Sequence, residues 1–150
     1  MFECWLLMEP APISIFMAVH NDFGALGEET ACRYLMHHGY RLLSRNWRFQ
    51  HLEVDIVAEW FGEVIFVEVK TRRNEDLAFA ADAVDLEKKK NLVVAAKAYM
   101  KYYDLDLPFR FDIITVVGER PPFEIEQIEN AFTLEGVAEE MKNKHLRNFF

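Results

Sequence analysis

The chain has 150 residues, 51% of them hydrophobic and 13 of them phenylalanine, and a net charge of −8. That length and composition allow one substantial core in one main domain, and so acidic a total excludes a uniformly basic nucleic-acid binder. Cys4 and Cys32 are the two cysteines; they exclude a disulfide framework and a thiolate metal site, and point to a reducing, cytoplasmic setting.

The first stretch is apolar, but Glu3, Glu9, Pro10 and Pro12 interrupt it and no basic cluster leads it. Neither a secretory signal nor a membrane span is expected. Residues 1–20 read as a flexible extension, with Met17 as an alternative start.

Asn21-Asp22 are suited to capping a helix that runs to about His38 and stops at Gly39. Glu28, Ala31, Cys32 and Leu35 fall at i, i+3, i+4 and i+7, which sets a carboxylate on the stripe facing the core. Glu28 equally fits as a first-turn acid favoured by the helix dipole, a role that Glu29 fills as well. His37-His38 would point about 100° apart on this helix, against chelation of one ion.

Residues 40–49 read as a strand with mixed faces. Two β-rich runs follow, 54–59 and 64–71, around Trp60-Phe61-Gly62-Glu63, whose glycine supplies the positive φ of a tight hairpin. With the loop centred on Phe61-Gly62, partner numbers add to 123, so Asp55 stands opposite Glu68 and Glu53 opposite Lys70. Opposed residues have Cβ atoms about 4.5–5.5 Å apart. Two carboxylates so close repel one another unless a cation lies between them, and a divalent ion with oxygen ligands is the usual one. Alternation puts Lys70 on the face of Glu68, and the register makes Glu53 a supporting partner of Lys70. The plainer reading is a surface hairpin with its charges in water. Against it, Val64-Ile65-Phe66-Val67 is apolar on both faces, as in a covered central strand.

A polar loop follows to about Ala81, long enough to suggest a functional or mobile segment. The next helix, about 82–103, sets Val84, Lys88, Leu92, Ala95/Ala96 and Tyr99 at helical spacing, with Lys88 near the inward stripe and Lys89 and Lys90 snorkelling outward. Residues 109–117 form a second dense apolar strand. After Pro121-Pro122, residues 123–128 alternate like an edge strand, and about 132–148 is a surface helix. Seven acids against one arginine between Glu119 and Glu140 account for most of the excess charge. Basic clusters remain at Arg41/Arg45/Arg48, Lys70/Arg72/Arg73 and Lys88-Lys89-Lys90, each a candidate phosphate contact or plain solvated surface. The expected domain is α/β or α+β, a mixed central sheet flanked by helices in the order αβββαββ, over residues 21–132, with a helical tail at 133–150.

The set Gly27-Glu28-x-x-Ala31, Gly39-Tyr40, Arg45-Asn46-Trp47-Arg48, Glu53-Val54-Asp55, Phe66-Val67-Glu68-Val69-Lys70-Thr71-Arg72, Ala83-Val84 with Lys88, and Arg110-Phe111-Asp112 resembles the YraN family of endonuclease-like proteins. That family is similar to Holliday-junction resolvases, in the PD-(D/E)XK nuclease superfamily. The likeness spans about residues 20–132; one departure is His51-Leu52, where the family has Gly-Gly. It implies a restriction-endonuclease-like core, with Asp55 and Glu68-Val69-Lys70 as the motif residues and Glu28 as the helical glutamate that completes the site. Asp55, Glu68 and Glu28 would then hold Mg²⁺ or Mn²⁺, and Lys70 would orient the attacking water. Arg72, Arg73 and Lys88 would contact DNA, with a homodimer cutting branched recombination or repair intermediates. The alternative is a non-catalytic module that binds nucleic acid or protein on the same fold.

Overall fold

A computed structural model describes residues 22–73 and 84–147. The proposed extension, the alternative start at Met17, Cys4 and most of the polar loop lie outside them. The elements are α1 (Asp22–His37), β1 (Arg41–Phe49), β2 (Leu52–Trp60), β3 (Glu63–Arg72), α2 (Leu86–Tyr102), β4 (Phe109–Val117), β5 (Glu124–Phe132) and α3 (Leu134–Arg147). This is the expected αβββαββ order followed by a helix. The sheet runs β1-β2-β3-β4-β5, antiparallel except for the parallel pair β3–β4, whose crossover carries α2.

Two packed layers explain why β3 and β4 are apolar on both faces. Ala31, Cys32 and Leu35 of α1 pack with Ile56, Ile65, Val67, Ile114 and Val116. Leu92, Ala95, Ala96 and Tyr99 of α2 cover Val64, Phe66, Phe111 and Ile113 on the other side. Each strand therefore alternates between two cores instead of between core and water.

Some boundaries move for local reasons. Helix α2 begins at Leu86 because the Asp85 carboxylate accepts the Lys88 N–H at 2.8 Å, which makes Asp85 the N-cap and leaves Val84 outside. Strand β5 reaches Phe132, four residues beyond the alternating run. Its far end is held by Asp112, whose carboxylate accepts from Gln127 and from the Asn130 N–H.

The hairpin register is the expected one from Trp60↔Glu63 to Ile56↔Val67, with Phe61 and Gly62 both at positive φ in the turn. The recorded pairing ends there, one step before Asp55 and Glu68. On the other side of β2, Arg45↔Ile56 is followed by Trp47↔Val54. This leaves Asn46, at φ 48°, opposite Asp55. Leu52 and Val54 pack in the α2 layer, whereas Ile56 and Ala58 pack in the α1 layer. The alternation of β2 is thus broken at Asp55, as a local irregularity in a strand does. Across the His51-Leu52 departure the chain pairs normally, Phe49 with Leu52.

Candidate active site

Four elements meet where β2 and β3 part: α1, β2, β3 and α2. Glu68 sits on the α2 side of β3 and is only 4% exposed, so its charge must be compensated locally. Lys70 Nζ lies 3.0 Å from its Oε1, and Lys88 Nζ, reaching from the first turn of α2, lies 3.1 Å from its Oε2. Oε2 is fully buried, and among the described residues no donor meets it in hydrogen-bond geometry; Lys88 contacts it as a charge. Thr115, itself buried, stands beside Lys70 in the β3–β4 register.

Asp55 enters from β2. Its Oδ2 accepts the Val69 N–H at 2.8 Å, so a side chain takes the place of a strand partner where the recorded pairing stops. Burial pushes the Asp55 carboxyl up to about 7, and the nearby charges of Glu68 and Glu28 push the same way; the Val69 hydrogen bond and Lys88 oppose them. Desolvation and a neighbouring like charge both disfavour the ionised form of an acid so placed.

Glu28 arrives on α1, and the approach of that helix depends on Gly27. A Cβ at Gly27 would overlap the Thr71 side chain, lying 2.9 Å from both its Cβ and Cγ2. Glu29 turns away to Arg33 at 3.1 Å and to Arg45 at 2.9 Å. The two adjacent glutamates therefore divide: Glu29 ties α1 to β1, and Glu28 adds its charge to Asp55. Among the described residues no three His, Cys, Asp or Glu side chains gather closely enough to hold a metal ion. The three acids are neighbours, with two ammonium groups among them, and do not form a closed cage.

The remaining expected residues fall differently. Glu53 contacts Arg48 at 3.4 Å, and Lys70 turns to Glu68, so the hairpin register does not bring Glu53 to Lys70. The Arg41/Arg45/Arg48 cluster is spent on internal pairs with Glu59, Glu29 and Glu53. Arg72 lies at the end of β3, and the Arg73 guanidinium stacks 5.3 Å above the Phe23 ring. Lys88 belongs to the acid cluster itself; its place on the inward stripe was the available signal, and its partner was hidden because α2 and β3 are distant in sequence.

Arg110-Phe111-Asp112 builds a separate network on the α1 side. Asp112 is 1% exposed and pairs with Arg110 at 2.9 Å, while Arg110 also reaches Glu63 at 3.0 Å and the Tyr40 hydroxyl at 3.2 Å. A cleft of about 220 Å³ between α2 and α3, lined by Leu86, Glu87, Lys90, Met141, Lys144 and His145, is separate from the acids. Cys32 is buried, which pushes its thiol up to about 11, so it is no nucleophile. No helix among the described residues is long and apolar enough to cross a membrane.

Known proteins resemble the chain over most of this domain. The model of Uncharacterised protein family UPF0102 matches residues 27–116, from the glycine under Thr71 to the last core valine of β4. A UPF0102 protein of Bacteroides thetaiotaomicron is 53% identical over 116 residues, 77% of this chain and 96% of that protein. Similar proteins of Phocaeicola vulgatus and Flavobacterium psychrophilum are 49% and 45% identical over 116 residues each, again 77% of this chain, and 96% and 98% of their own lengths. The chain belongs to family UPF0102, the YraN group that its motifs resemble.

Proposed function

We propose that this protein is a divalent-cation-dependent endonuclease that hydrolyses phosphodiester bonds in DNA, with branched recombination or repair intermediates as its substrates. The observation that carries the reading is the convergence of Asp55 and Glu68 at the point where β2 and β3 part, with Lys70 on Glu68. Mg²⁺ or Mn²⁺ fits this donor set. The ligands are carboxylate oxygens, Glu68 Oε2 is buried without a hydrogen bond among the described residues, and Asp55 is held up by burial first and then by repulsion from Glu68, both of which a cation offsets.

In this reading Asp55 and Glu68 hold the cation, and Glu28 joins them directly or through water. The bound ion supplies a Lewis acid that stabilises phosphate charge and eases ionisation of water. Lys70, fixed by Glu68, holds the attacking water and balances charge on the phosphate. Asp55 must be ionised to serve, so metal binding strengthens as pH climbs through about 7. Arg72 and Arg73, at the edge of the site, contact the DNA backbone; such contacts position a duplex without reading sequence. Two strands cut symmetrically require two copies related by a two-fold axis, so the active species on branched DNA is a homodimer.

The test is cleavage of branched, flapped and linear DNA with Mg²⁺ or Mn²⁺. Wild type should cut, and Asp55→Asn, Glu68→Gln and Lys70→Met should each lose activity by about a hundredfold or more, the scale set by removing one preorganised electrostatic group. Cleavage that survives all three assigns the activity elsewhere. A second reading, a non-catalytic binding module, is favoured by one observation: Glu68 already has two ammonium neighbours. It predicts DNA or protein binding with no cleavage under any of these conditions.

A further inference from the structure

Glu68 is met by two lysines from different elements, each as an ion pair. Lys70 comes from the same strand, two residues on, where alternation fixes it on the same face. Lys88 comes from another element and meets Oε2 at 3.1 Å outside hydrogen-bond geometry, so that contact has charge attraction without the directional component. Its backbone is anchored, because the Lys88 N–H donates to Asp85 at the N-cap of α2. Its side chain remains 33% exposed, with solvent on one side of it. A cation in the first turn of a helix is also disfavoured by the helix dipole. Charge attraction to the acids thus draws Lys88 toward Glu68 while its own helix opposes it.

We propose that Lys88 is an exchangeable counter-ion: it neutralises Glu68 until a divalent cation binds the acids, and then swings outward to a substrate phosphate. The inference rests on the metal-dependent reading above and goes beyond it, because it makes one residue both competitor for the metal and ligand for the substrate. Charge balances in the exchange. The acids lose one ammonium neighbour and gain a doubly charged ion, and the released ammonium finds its new partner in the phosphate. Metal binding and DNA binding are thereby coupled through a single side chain.

The experiment is a Mn²⁺ titration of the full chain at pH 8, followed by electron paramagnetic resonance of the free ion, for wild type, Lys88→Met and Lys88→Gln. Both variants remove the competing charge and keep a linear stem. They should bind Mn²⁺ about tenfold more tightly, the scale of one charge-assisted contact. Without divalent cation they should melt below wild type, because Glu68 loses a neutralising charge, and saturating Mn²⁺ should close that gap. Equal or weaker Mn²⁺ binding by both variants, or a melting deficit that Mn²⁺ leaves in place, overturns the proposal. If wild type binds Mn²⁺ and the variants bind no tighter, the counter-ion role alone falls. If neither wild type nor variant binds Mn²⁺, the metal-dependent reading falls with it.

Discussion

Asp55 carries the sharpest consequence at the scale of single residues. Its carboxyl is raised from 3.8 to about 7 by burial first and then by Glu68. Between those values the folded chain keeps a proton that the unfolded chain has lost, so this group makes stability fall as pH rises through the window and is without effect on the slope above it. Asp55→Asn removes the titration, and its amide oxygen can still accept from Val69. Thermal melts should therefore show variant and wild type alike near pH 4, with the variant gaining several degrees on wild type by pH 8. Mg²⁺ at pH 8 should raise the melting temperature of wild type and leave the variant unmoved. A variant that is less stable than wild type at pH 8 would mean that the carboxylate is stabilising as it stands.

At the scale of elements, the approach of α1 to β3 depends on the missing side chain at Gly27. Gly27→Ala must push helix from strand or displace Thr71, and Glu28 moves with the helix. The expected outcome is a loss of cleavage larger than the loss of stability, read by comparing initial rates with urea midpoints. The Arg110–Asp112 pair makes the opposite prediction. Asp112→Ala leaves Arg110 short of its buried partner and removes the acceptor for Gln127 and Asn130, at a cost of about 3–5 kcal/mol. Urea unfolding should show that loss. Sequence spacing reveals the hairpin register because the turn geometry fixes it, but not the break at Asp55, where Asn46 at positive φ and the Val69 hydrogen bond interrupt the alternation. It reveals α1, α2 and both apolar strands through their periodicity. The Lys88–Glu68 contact and the division of labour between Glu28 and Glu29 depend on distant elements meeting, which periodicity does not encode.

Across the whole molecule, a net charge of −8 makes any phosphate contact depend on where individual cations stand. Three arginines of β1 pair with acids of the protein and Lys70 and Lys88 pair with Glu68, while Arg72 ends β3 and Arg73 follows it, stacked on Phe23. DNA affinity should therefore fall with salt, with a log–log slope of about −0.9 for each phosphate contacted. Substituting Arg72 and Arg73 together should flatten that slope, and substituting Arg41 and Arg48 should not. Filter binding on a non-cleaved duplex in Ca²⁺ reads both. The central claim remains local: two acids from neighbouring strands converge because a cation is meant to lie between them. Anomalous diffraction from crystals soaked in Mn²⁺ tests it most directly. The expected result is a peak within coordination distance of both Asp55 and Glu68, with Lys88 turned away from Oε2; soaked crystals with no peak at these two carboxylates, or with a peak only elsewhere, would rule out a cation between them.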